Sequence, residues 1–115
     1  MFVLAPSGSP GTPTYTATTA TSIIITWTEI ACLDRNGVIT GYTIRYGPAN
    51  SANTSPTTID HTSTGRSREI SGLTAFTNYT VSVRGVNSAG PGVYSAEVVL
   101  RTSESREFID FILVL

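Results

Sequence analysis

An all-β chain folded as a seven-stranded antiparallel sandwich is the fold class this sequence predicts. Three observations predict it. Short runs with apolar residues at alternate positions recur along the chain, each bounded by clusters of Gly, Pro, Asn, Asp or Ser. No stretch carries the apolar spacing of an amphipathic helix. Charged residues are only 13% of the composition, and the Thr and Ser that replace them favour strands and turns. At 115 residues the chain makes one domain and not two. A domain of that size buries about two-thirds of its unfolded-chain surface, enough to fold without metal or disulfide staples.

Taken in order, residues 1–11 have linker composition: Pro6, Gly8, Pro10 and Gly11 prevent regular structure and keep the chain extended. Residues 14–18 form a weak first strand. Residues 21–28 form a strong second one, with Ile23, Ile25 and Trp27 on one face and Ser22, Thr26 and Thr28 on the other; Ile24 breaks the alternation. Asp34, Arg35, Asn36 and Gly37 are a turn signal, and an Asn-Gly pair between β runs reads by itself as a tight hairpin. The third strand covers 39–46, with Tyr42, Ile44 and Tyr46 facing one way and Thr43 and Arg45 the other. Residues 57–61 are a short edge strand, 67–71 another with Ile70 inward, and 72–77 a corner. The longest clean alternation is 79–87, with Tyr79, Val81, Val83 and Gly85 in and Thr80, Ser82 and Arg84 out. A last strand over 93–102 places Val98, Leu100 and Thr102 on one face.

Composition narrows the functional classes. The formal net charge is −1, and the seven basic residues, all Arg, are scattered along the chain, so no field gathers nucleic acid or an anionic membrane surface. No segment reaches the ~18 apolar residues of a membrane span. The apolar stretch within 104–115 is too short, and its role stays open among a truncated span, a strand and an artefact. The one cysteine, Cys32, has no internal partner. It reads either as a half-buried small hydrophobe or as one end of an intermolecular bridge.

Catalytic constellations are missing. The one histidine, His61, reads as a solvent-facing residue on an edge strand and has no nearby partner for a zinc site. No Gly-x-Ser-x-Gly elbow exists. No spacing selects a carboxylate pair among Glu29, Asp34, Asp60 and Glu69. Gly90, Pro91 and Gly92 are followed by no helix that would make a phosphate cradle. Neither an enzyme, a cofactor nor a bound metal is expected.

One combination of residues is more specific. Trp27 closes the second strand, Ile39-Thr40-Gly41-Tyr42 opens the third, and Leu73 stands six residues ahead of Tyr79. The segment 87–92, Ser95 and Leu100-Arg101-Thr102 follow. An immunoglobulin domain has a cysteine pair with a Trp on its third strand; here the pair is missing and the Trp is on the second. The pattern resembles a fibronectin type III domain over residues 12–103. The resemblance implies an immunoglobulin-like sandwich with Ile23, Ile25, Trp27, Tyr42, Ile44, Leu73, Tyr79, Val81, Val83 and Leu100 in the core. It implies that the 32–38 loop crosses between sheets and that Tyr79 is a tyrosine corner, its hydroxyl bonding to backbone a few residues upstream.

The resemblance also implies a non-catalytic protein-binding or spacer module of a cell-surface receptor or adhesion protein. Alternatives are an accessory linker of a secreted carbohydrate-active enzyme and an intracellular cytoskeletal module. A protein partner and neighbouring domains of the same parent chain are expected, without nucleic acid or membrane insertion, and the isolated module is expected to be a monomer. Loops 32–38, 62–66 and 87–92 would share one pole, where Asp34, Arg35, Asn36, Ser88, Gly90 and Pro91 are the candidate contact residues. Two glycosylation sequons, at Asn53 and Asn78, would share the opposite pole.

Overall fold

Two antiparallel sheets pack face to face in the computed structural model, which describes residues 4–49 and 56–104. The smaller sheet holds β1 (Thr14–Thr18), β2 (Ile23–Thr26) and β5 (Ser67–Ile70), with β2 in the middle. The larger holds β3 (Gly41–Pro48), β4 (Thr57–His61), β6 (Asn78–Asn87), β7 (Gly90–Pro91) and β8 (Val98–Arg101). Its order is β4-β3-β6, and β7 and β8 both complete the far side of β6. Counting those two as one interrupted edge gives the seven strand positions expected.

Alternation in β2 explains the layering. Ile23 and Ile25 are buried, and Trp27 extends the same face just past the strand, its backbone N–H donating to the Arg66 carbonyl at 3.1 Å. From the larger sheet Tyr42, Ile44, Tyr79, Val81, Val83 and Leu100 meet them, and Ile70 and Leu73 close the sides. Each of these aliphatic side chains contributes about 1.5–3 kcal/mol by leaving water. The 32–37 loop leaves the smaller sheet at β2 and enters the larger at β3, so it crosses the sandwich instead of forming a hairpin. Asn36 and Gly37 take positive φ, 54° and 132°, to turn the chain there.

Several local expectations are corrected. The strand expected over 93–102 is shortened to β8, because at its start the Ser95 hydroxyl takes the place of a backbone acceptor. It accepts the Val83 N–H at 3.1 Å while the Ser95 N–H donates to the Val83 carbonyl at 2.8 Å. Residues 87–92, expected as a loop with a turn over 88–91, are a tight hairpin in which Asn87 pairs with Gly90. Thr43 and Ser82, read as outward and polar, are buried: Arg45 covers the Ser82 hydroxyl and donates to it at 3.3 Å, and the Thr43 hydroxyl donates to Asp60 at 3.5 Å. Cys32 is exposed, in a short 3-10 turn, and not half-buried.

The largest correction is His61. Its ring faces the interior, edge-on to Trp27 at 5.5 Å between centroids, and its Nε2–H donates to the Gly65 carbonyl at 2.9 Å. β4 is an edge strand, but His61 pairs in register with Tyr42, which sends both rings inward. The sequence shows the edge; the inward side chain follows from that register.

Candidate functional site

The three loops converge on one pole. Glu29 binds two of them together: its carboxylate accepts from Arg35 at 2.9 Å and from Arg66. Arg35 also donates from Nε to the Ile30 carbonyl at 2.8 Å. The hairpin is tied in by Asn87, whose amide donates to the Arg35 carbonyl at 3.0 Å and to the Leu4 carbonyl at 2.7 Å. Its Oδ1 accepts the Ala89 N–H at 2.9 Å.

The Leu4 contact changes the picture of residues 1–11. From Leu4 onward this Pro-rich stretch is strapped to the pole. The Ser7 N–H donates to the Asp34 carbonyl at 2.8 Å, and Asn36 donates its side-chain amide to the Ala5 carbonyl at 3.0 Å. Pro6 and Pro10 are buried. Of the candidate contact residues, Arg35 and Asn36 therefore spend their donors inside the domain, and the Asp34 side chain lies against Gly8. Ser88 and Pro91 are exposed, and Gly90 turns the hairpin with φ at 134°.

Two pole residues that the sequence reading passed over stand out. Leu33 is 93% exposed and Val38 81%, on either side of the tethered 34–36 segment. Their signal was available: large apolar residues inside a turn-rich loop with no strand period to bury them. Ile30 was missed as well; it is buried at the base of this loop.

At the other pole Asn78 is exposed at the start of β6, and its carbonyl accepts the Ala49 N–H at 2.9 Å. Asn53 lies outside the described residues.

Between the poles, the geometry that decides the family is present. Trp27 fills the space between the sheets, T-shaped to Tyr42 at 5.2 Å. The Tyr79 phenol oxygen accepts the Thr74 backbone N–H at 2.8 Å, five residues upstream. The pattern of the fibronectin type III domain matches residues 8–101. The chain belongs to the fibronectin type III family.

Over 100 residues it is 36% identical to the cell adhesion molecule DSCAM of Gallus gallus, covering 86% of this chain and 5% of that protein. Over another 100-residue match it is 32% identical to the receptor-type tyrosine-protein phosphatase F of Mus musculus, again 86% and 5%. The chain thus spans only a small part of these relatives. The solution structure of the third fibronectin III domain of the human KIAA0343 protein has the same fold, with a TM-score of 0.80 at 24% identity, covering 90% of this chain and 88% of that one.

The outward face of the larger sheet of this fibronectin type III domain carries two guanidinium groups on one aromatic ring. Arg45 and Arg84 place their guanidinium carbons 4.0 and 4.6 Å from the Tyr94 ring centroid. Arg45 is also paired with Glu97 at 3.6 Å and donates to the Ser82 hydroxyl at 3.3 Å. Beside this layer is a trough of about 510 Å³, floored by Gly41 and Thr43.

Proposed function

We propose that this fibronectin type III domain is a non-catalytic binding or spacer module of a cell-surface receptor or adhesion protein, working outside the cell. The observation that carries this reading is the similarity of nearly the whole domain to modules of a cell adhesion molecule and of a receptor-type phosphatase. Two further features support it. A hydrogen-bonded pole presents Leu33 and Val38 to solvent, a pair of apolar contacts on a rigid base. The exposed Asn78 sequon suits a chain that passes through the secretory route. In this reading residues 12–103 are the module, its partner is another protein, and Leu33, Val38 and Ser88 are the pole residues that reach it.

Expression through a eukaryotic secretory route, followed by intact-mass measurement, tests the location. A glycan increment that disappears in Asn78→Gln is the expected result; a secreted domain bearing no glycan at either sequon removes that support. Cell adhesion to a surface coated with the domain tests the contact role. Leu33→Ser combined with Val38→Ser should weaken adhesion without moving the melting midpoint. Unchanged adhesion would leave the spacer role alone.

A further inference from the structure

We propose that the trough on the outward face of β4, β3 and β6 is a recognition site for an extended protein segment carrying an acidic and a basic side chain at alternate positions. This rests on the binding-module reading and names the surface and the chemistry of the partner. Register places the two charges. Thr43 pairs with Asp60 on one side and with Arg84 on the other, so the three form a row across the sheet. Two strand spacings separate the outer members, roughly 10 Å between Cα atoms. The two walls thus carry opposite charge with a small residue between them.

Neither charge has an ion-pair partner among the described residues. Arg35 and Arg66 share Glu29, and Arg45 has Glu97, but Arg84 forms no ion pair among the described residues. Its guanidinium lies on Tyr94, and its Nε is shielded from water without a hydrogen-bond partner. Asp60 forms no ion pair among the described residues and accepts from the Thr43 hydroxyl at 3.5 Å. A guanidinium held on a ring and partly stripped of water gains more from a carboxylate than a freely hydrated one does.

The floor is made of small residues, Gly41 and Thr43. A Cβ on Gly41 would strike the His61 carbonyl, so the close approach of β4's own backbone requires glycine there. In an extended segment, alternate residues share a face and lie about 7 Å apart. A Glu and an Arg so placed span the remaining distance with their own side chains, the Glu toward Arg84 and the Arg toward Asp60.

The test is an amide NMR titration of the domain with the capped peptide acetyl-Ala-Glu-Thr-Arg-Ala-amide. Saturable shifts at Thr43, Asp60, Arg84 and Val86 are expected. Asp60→Asn and Arg84→Gln should each weaken the apparent affinity about tenfold, the effect of losing one charge-assisted contact. Asp60 is exposed, so Asp60→Asn keeps the fold even if Arg84→Gln disturbs the stack on Tyr94. The peptide with Gln replacing both charged residues should cause no shift. Three results overturn the proposal: no shift at millimolar peptide, equal shifts with the uncharged peptide, or shifts at these residues on concentrating the domain alone, which assigns the trough to a second copy. A silent trough together with intact adhesion through Leu33 and Val38 would remove this inference and leave the module reading in place.

Discussion

The Ile30 side chain occupies the space that a Cβ on Gly85 would need. This pair joins the base of the 32–37 loop to β6 near its Asn87 end, and it explains why a glycine interrupts the longest strand. Gly85→Ala should therefore overpack the interior and cost about 1–3 kcal/mol. Ile30→Val removes a methyl from the contact. Urea denaturation of the two single variants and the double variant should show coupling of at least about 0.5 kcal/mol; additive losses would mean that the two do not share that space.

Tyr79 and Thr74 support a second prediction. Tyr79→Phe keeps the ring and removes the acceptor of the Thr74 N–H. The stability loss should be about 1–3 kcal/mol, the cost of a part-buried donor left unmet. Hydrogen exchange at the Thr74 amide should also accelerate. An unchanged denaturation midpoint would mean that water replaces the phenol there.

Trp27 touches both Tyr42 and His61 with its ring. Trp27→Ala should cost about 3–5 kcal/mol, out of a total of about 5–15 kcal/mol for a domain of this kind. The variant should be largely unfolded or melt far lower by circular dichroism. His61→Ala should cost less, since it removes a smaller ring at the edge of the same cluster.

Burial pushes the Tyr42 phenol above its ordinary value of 10.0, with the Arg66 charge opposing the rise. The unfolded phenol thus loses its proton first. Below pH 10 both states are protonated and the stabilisation is fully present; as pH rises through the folded value, the folded state binds more protons than the unfolded one and stability falls. Urea midpoints between about pH 9 and 11 should drop more steeply for the native domain than for Tyr42→Phe. Parallel slopes would place the phenol in open water.

The fold was legible because its signals are local. Period-two alternation at 23, 25 and 27, and again along 79–87, determines which side chains point in, and the Asn and Gly residues mark the turns. The hidden features depend on distant pairings. His61 was read as wet because an edge strand suggests exposure, while its orientation comes from register with Tyr42. Thr43 and Ser82 were read as outward, correctly in direction, but nothing in their neighbourhood announces that Arg45 will cover Ser82 or that the flanking strands will bury Thr43. The trough was invisible for the same reason: Asp60 and Arg84 are 24 positions apart in the numbering and meet only across Thr43. The exposed Leu33 and Val38 were legible and overlooked, because turn composition drew attention to the polar residues between them.

The strap from Leu4 to Ser7 has a practical outcome for anyone handling this domain. It fixes the entry path beside the Asn87 hairpin, so cargo fused ahead of residue 4 is delivered onto the very surface where Leu33 and Val38 stand. Surface coupling or display through that end would crowd the contacts under study. Attachment at Glu104, which follows the end of β8 that pairs with Asn78 away from the hairpin, leaves them clear, and the same binding assay run in both orientations should differ for that reason alone.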